Sequence, residues 1–176
     1  MNIVFKQSGL TILEVIFSMG IVMVGMLGVV TLLQQNIVAQ NINKNSLLSA
    51  ALAQETVELL RNQRDTNQRN ESDNWLTGDS AGTDSDILQD GTYVISYDGT
   101  IDDTVDDFSH DGTILYLDSS DNYYIHESAG NSLTPFRRLV TVVDNTANID
   151  ITVEVRWSER GRDHDYKIDA RLYDWW

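Results

Sequence analysis

The chain has 176 residues, a length that usually supports one domain, and it carries a formal net charge of −15. It contains no cysteine, which excludes disulfides and thiolate metal sites. Sixteen acidic and only two basic residues lie between positions 63 and 135, so the bulk surface opposes nucleic-acid binding and leaves open only local basic patches at Arg137-Arg138 and at Arg160 and Arg162.

The first nine residues have the order of a leader peptide but not that of an ordinary secretory signal. A secretory signal places its small-residue cleavage site after the apolar region. Here Gly9 precedes the apolar region, no Ala-x-Ala follows it, and Lys6 is the only charged side chain before it. Lys6 favours a cytoplasmic leader, with the chain after about Leu33 on the outer side of a membrane.

The stretch from Leu10 to Leu33 is almost wholly apolar, and Glu14 is its only charged residue. At 1.5 Å per residue it is long enough to cross a bilayer core of roughly 30 Å. A carboxylate in such a segment costs roughly 2.5 to 3.5 kcal/mol, so Glu14 needs a partner. Lys44 lies beyond helical reach. A cut after Gly9 would create an α-amino group on Leu10, one turn before Glu14 and within reach of a neighbouring subunit's glutamate.

Residues 8–15, Ser-Gly-Leu-Thr-Ile-Leu-Glu-Val, resemble the class III signal of type IV pilins and type II secretion pseudopilins. The resemblance implies cleavage after Gly9 by the prepilin peptidase, a membrane aspartyl protease that also N-methylates the new first residue, Leu10. It implies that Glu14 neutralises the N-terminus of the preceding subunit. Leu10 departs from the commonest residue, phenylalanine, but is also bulky and apolar. The alternative is a plain membrane anchor whose glutamate snorkels to the interface.

The same helix is predicted to continue to about residue 65 as an amphipathic segment, because no proline interrupts it and apolar residues recur at helical spacing. Residues 66–90, rich in Asn, Asp, Ser, Thr and Gly, are predicted to form a loop. The expected buried stripe of the helix consists of Val38, Ile42, Leu48, Leu52 and Leu59.

The remainder of the chain has the patterns of short strands. Ile149–Trp157 and Tyr166–Leu172 alternate apolar and polar residues and flank a turn near Arg160-Gly161, which predicts an antiparallel hairpin. Further strands are predicted at Tyr93–Tyr97, Ile114–Leu117, Tyr123–Ile125 and Leu139–Val143. We therefore expect an α+β fold in which the long N-terminal helix packs on a C-terminal antiparallel sheet, which is also the lollipop fold that the resemblance implies.

Few residues of the C-terminal part, 66–176, called the head below, predict a catalytic or metal site. Its acidic residues, with Asp98, Asp102 and Asp103 as candidates, are a weak calcium prediction, and solvated loops are favoured because the spacing fits no EF-hand. The three histidines are isolated, and neither a Gly-x-Ser-x-Gly elbow nor a phosphate loop is present. We expect no enzymatic activity and no cofactor.

The expected organisation is a leader at 1–9, a membrane and filament-core helix at 10–33, an amphipathic helix at 34–65 and an extracytoplasmic acidic β-rich head at 66–176. The expected function is a structural subunit of a type IV pilus or pilus-like filament. Its partners would be the prepilin peptidase/methyltransferase, other pilin subunits, the inner-membrane assembly platform and, before assembly, membrane lipid. The alternatives are a minor pilin or pseudopilin that primes assembly for secretion or DNA uptake, and a membrane-tethered binding domain that never polymerises.

Overall fold

The computed structural model describes residues 9, 11–69, 75, 90–99, 101–145 and 147–174. The chain is α+β, as the sequence predicts: a long helix, α1, spans Ile12–Arg69 and is followed by antiparallel strands. The helix ends at Arg69 rather than near residue 65. The chain divides between Asn43 and Lys44 into two compact units, and α1 contributes to both.

In the first unit, Thr11 begins the helix by accepting hydrogen bonds from the backbone N–H groups of Glu14 and Val15, at 3.0 and 3.2 Å. The large apolar side chains from Ile12 to Leu33 are exposed, between 42% at Val15 and 81% at Ile12. The hydroxyls of Ser18 and Thr31 donate back to helix carbonyls. By length and composition, α1 is the one helix of the described residues that is able to cross a membrane.

The second unit contains one antiparallel sheet. Its strands are β1 (Gly91–Ile95), β2 (Ile101–Asp102), β3 (Ile114–Leu117), β4 (Tyr124–Ile125), β5 (Ser132–Asp144), β6 (Asn148–Glu159) and β7 (Arg162–Tyr173). Strand β5 is central. Strand β6 pairs with one of its edges, and β1 and β3 pair with different parts of the other edge. Strands β2 and β4 extend from β1 and β3, and β7 pairs with β6.

The main core forms where the second half of α1 packs on the sheet. Leu52, Ala53, Val57 and Leu60 contact the inner side chains of the strands, and all of them are at most 3% exposed. Of the predicted helix stripe, Leu52 is confirmed in this core, whereas Leu48 and Leu59 lie half-buried at its flank. The middle of the buried helix face contains the smaller residues Ser49, Ala53 and Thr56, which allow the helix to approach the strands closely.

A second, smaller cluster lies on the opposite face of the sheet. Leu139 of β5 and Val94 of β1 pack there with Val105 and Phe108, which follow β2. The outer face of the sheet is therefore covered over this part of β5 and β1. The loop that covers it also contains a short 3₁₀ turn, Asp111–Thr113, capped by His110.

The structure corrects one expectation about the basic residues. Arg138 was a candidate for a surface patch together with Arg137, but its side chain is fully buried. It lies on the inner face of β5, so alternation directs it toward α1. Arg137, on the other face, donates hydrogen bonds to the carbonyls of Phe108 and His110. The two arginines therefore do not form a shared basic surface.

Candidate functional site

Glu14 lies in the first turn of α1 and is exposed. Its backbone N–H donates to the Thr11 carbonyl, and its own carbonyl accepts a 2.7 Å hydrogen bond from the Ser18 hydroxyl. A negative side chain in a first turn interacts favourably with the positive end of the helix dipole. That interaction is worth about 0.3–1 kcal/mol at an exposed position, less than the cost of placing a carboxylate in lipid. A full positive charge remains the better partner for Glu14.

Gly9 precedes the helix, is exposed, and has open space where a side chain would project. Leu10 and Lys6 lie outside the described residues. Cleavage after Gly9 and methylation of Leu10 therefore stay predictions.

The apolar segment around Glu14 is not covered by other described residues of its own unit. Sixteen of its large apolar residues from Ile12 to Leu33 are more than 40% exposed. A contiguous exposed apolar surface of this kind marks a membrane or protein-interaction surface rather than a water-facing helix. The hydroxyls of Ser18 and Thr31 are already bonded to helix carbonyls, so they add little cost in an apolar environment. The arrangement is compatible with a membrane anchor.

The three calcium candidates are bonded or exposed individually. Asp102 accepts hydrogen bonds from the backbone N–H and the hydroxyl of Thr104, which lower its pKa. Asp98 and Asp103 are exposed in the turns beside β1 and β2. Among the described residues, no three His, Cys, Asp or Glu side chains are grouped closely enough to hold a metal ion.

The same pattern of aspartate hydrogen bonds to a residue two positions ahead recurs elsewhere in the acidic head. Asp107 accepts from the backbone N–H and hydroxyl of Ser109, and Asp118 does the same with Ser120. These hydrogen bonds lower the pKa of both carboxyls. An aspartate that bonds two residues ahead stabilises a turn. We therefore interpret these carboxylates as turn-forming groups.

Two polar residues, the buried Arg138 and the half-buried His126, have structural contacts that the sequence did not predict. Arg138 forms an ion pair with Glu55 of α1 at 3.6 Å. The Nδ1 atom of His126 donates to the Ile114 carbonyl at 3.1 Å, and burial, together with the nearby Arg138 charge, lowers the pKa of His126 to about 3. Neither had a local sequence signal, because each depends on contacts between distant segments.

Comparisons of the chain with protein-family models, with curated proteins and with solved structures find no match. The functional interpretation therefore depends on the residues of the N-terminal segment and on the fold.

Proposed function

We propose that the chain is a structural subunit of a type IV pilus or pilus-like filament. The observation that carries the proposal is the exposed apolar helix from Ile12 to Leu33 with a single carboxylate, Glu14, in its first turn. Such a helix is stable in two environments, a bilayer and the interior of a bundle of identical helices. A subunit that moves from the bilayer into a filament needs a helix that is stable in both environments.

Glu14 gives the bundle its register. Cleavage after Gly9 leaves a positive α-amino group on Leu10, and pairing of that group with a glutamate of a neighbouring subunit removes two charges from an apolar environment at once. An unpaired charge there is costly, so a helix placed out of register is disfavoured. Before assembly the chain is held in a bacterial cytoplasmic membrane with its head outside; afterwards it lies in an extracellular filament or a periplasmic pseudopilus.

The partners follow from this sequence of events. The prepilin peptidase/methyltransferase processes the leader, the inner-membrane assembly platform extracts the helix, and other subunits receive it. The acidic head stays in solution, where its net negative charge favours solubility. No catalytic role is assigned to the head.

The test is the intact mass of the full chain, expressed with a prepilin peptidase and extracted from membranes. We expect the mass of residues 10–176 plus one methyl group. Gly9→Val should abolish processing, because a bulky residue next to the scissile bond prevents binding in the protease. Gly9→Ala, which stays small, is the matched control. A wild-type chain that still begins at Met1 would refute the proposal and favour a membrane-tethered binding domain.

The abundance of the chain in sheared filaments separates the two filament roles. A bulk subunit would dominate the mass spectrum of such a preparation. A minor pilin or pseudopilin that primes assembly would be present in trace amount.

A further inference from the structure

Strand β7 is a long sheet edge that pairs, among the described residues, with β6 alone. It runs from Arg162 to Tyr173 in continuous register with β6, without a bulge and without proline. Edge strands of soluble proteins are usually shortened, bulged, interrupted by proline, covered or protected by charged side chains, because a free edge is a template for another strand. Among the described residues β7 shows only the last of these features, its charged side chains, so its edge is suited to a further strand whose charges complement its own.

The turn before β7 determines which of its backbone groups are free. Arg160 and Gly161 both have positive φ, 53° and 74°, so they form a two-residue turn of the type that matches the twist of a hairpin. The i to i+3 hydrogen bond of such a turn directs the N–H of Arg162 toward β6. Alternation then directs the N–H and C=O groups of the odd-numbered residues, from Asp163 to Tyr173, away from β6.

The inner face of β7 is incompletely covered. On β6 the inward side chains from Ile149 to Trp157 are at most 5% exposed. Their partners on β7 are half-buried with one exception, Leu172, which is buried. The half-buried residues are His164, Tyr166, Ile168 and Ala170. One more strand beside β7 would cover this strip.

The charges on the outer face of β7 identify the strand that fits. If a second β7 pairs antiparallel so that Ile168 faces its own copy, Asp165 faces Arg171 and Lys167 faces Asp169. A shift of two residues in one direction places Lys167 opposite Lys167, and in the other places Asp169 opposite Asp169. Opposite charges across strands are favourable and like charges unfavourable. The Ile168-centred register also pairs odd-numbered residues with each other, as the free backbone groups require.

The contacts that Arg171 and Lys167 make within the chain leave both cations available to pair with a second copy. Arg171 pairs with Asp150 of β6, yet its side chain is 54% exposed and a guanidinium has five donors. Lys167 lies 3.7 Å from Asp169 on its own strand and is 52% exposed.

We propose that β7 is a homotypic interaction surface that pairs antiparallel with β7 of a second copy of this chain, centred on Ile168. The contact goes beyond the proposed filament function and does not rest on it. A two-fold axis perpendicular to the joined sheet reverses every direction in its plane, so the two heads are oppositely oriented. Such a contact connects separate filaments, or separate heads, rather than successive subunits of one filament.

The absence of cysteine makes a disulfide test direct. In Ile168→Cys the new thiol faces its own copy across a closely spaced, non-hydrogen-bonded pair, and cross-strand Cβ atoms there are about 4.5–5.5 Å apart, near disulfide range. In Ala170→Cys each thiol faces Tyr166 of the other copy. The full chain in detergent micelles at about 0.15 M salt is oxidised mildly, and its intact mass is measured.

We expect a doubled mass for Ile168→Cys and a single-chain mass for Ala170→Cys. A mixture of Tyr166→Cys and Ala170→Cys chains should give the mixed dimer. Association through the apolar helix, which all variants keep, would cross-link every position alike and would overturn the proposal. The proposal would also be overturned if the Ile168→Cys chain kept its single-chain mass while its circular dichroism showed an intact sheet. Dimers of Ala170→Cys alone would indicate another register and would equally refute the pairing.

Discussion

The guanidinium of Arg138 lies 3.6 Å from the carboxylate of Glu55, so a buried cation of the sheet is neutralised by an anion of the helix. Arg138 also donates to the carbonyls of Leu52 and Ile95, and so bonds α1 and β1 from its position on β5. Burial lowers the pKa of Arg138 to about 10, and Glu55 opposes that shift. At neutral pH the arginine therefore stays charged and depends on its partners.

Glu55→Gln should destabilise the head because it leaves the Arg138 charge buried without a counter-charge. Glu55 is itself 35% exposed, so water compensates in part, and we expect a loss of about 1–3 kcal/mol. Glu58→Gln is the matched control on the same helix, since Glu58 pairs with Arg61 at an exposed position worth about 0–1 kcal/mol. Urea unfolding of the full chain in detergent measures both. Equal losses would contradict the role given to Glu55.

His126 should make the stability of the head depend on pH. Its pKa is lowered from 6.5 to about 3, first by burial and then by Arg138, so the folded state keeps the ring neutral while the unfolded chain takes up a proton below about pH 6.5. The unfolded state binds more protons in this window. The free energy of unfolding should therefore fall as the pH falls, by up to about 1.4 kcal/mol per unit.

The measurement is the urea midpoint of the full chain between pH 6.5 and 4.5. Below that range Asp102, Asp107 and Asp118, whose pKa values are lowered by their turn hydrogen bonds, also lose stabilisation as they protonate. His126→Asn, whose amide N–H takes the position of Nδ1 and can donate to the Ile114 carbonyl, should reduce the slope in this range. His126→Gln serves if the asparagine variant does not fold. An unchanged slope in a folded variant would refute the assignment.

The hairpin turn between β6 and β7 offers a prediction that depends on the backbone alone. Arg160 has a φ of 53° and Gly161 a φ of 74°, a region that favours asparagine or glycine over other residues. Arg160→Asn should stabilise the head by about 0.5–1 kcal/mol, and Gly161→Ala should destabilise it by about 1 kcal/mol. Gly130→Ala, at a φ of 79° outside this hairpin, tests the backbone argument elsewhere. Urea midpoints that move the other way would contradict the turn assignment.

Alternation predicted the hairpin, a short apolar run predicted strand β3, and together with the helical spacing these local patterns predicted the α+β fold. They predicted only residues 139–143 of β5, which extends from Ser132 to Asp144. Pro135 lies within β5 just beyond its last pair with β6, Phe136 with Trp157, and opposite an irregularity in the pairing with β3, where a strand tolerates a missing N–H group. Contacts between distant segments, as for Arg138 and Glu55, leave no local pattern. The N-terminal candidate site is the reverse case: the roles of Gly9 and Glu14 are predictions from the family resemblance of a contiguous segment, and they stay predictions.

Glu14→Ala provides the decisive prediction for assembly. Removing a carboxylate makes the apolar segment easier to insert, and Gly9 is untouched, so membrane insertion and leader cleavage should be normal. Incorporation into filaments should be lost, because the α-amino group of Leu10 then enters the apolar filament core without a counter-charge. Glu14→Gln should fail in the same way, since an amide cannot neutralise the amine.

Ser18→Ala is the matched control for this prediction. Ser18 is a polar residue one turn beyond Glu14 in the same segment, and its hydroxyl donates to the Glu14 carbonyl. Its loss removes polarity from the same helix without removing charge, so incorporation should persist. Intact mass of the membrane fraction reports cleavage, and mass spectrometry of sheared filaments reports incorporation. Normal incorporation of a processed Glu14→Ala chain would show that the charge pair is not required, and the segment would then be an anchor that assembles by packing alone.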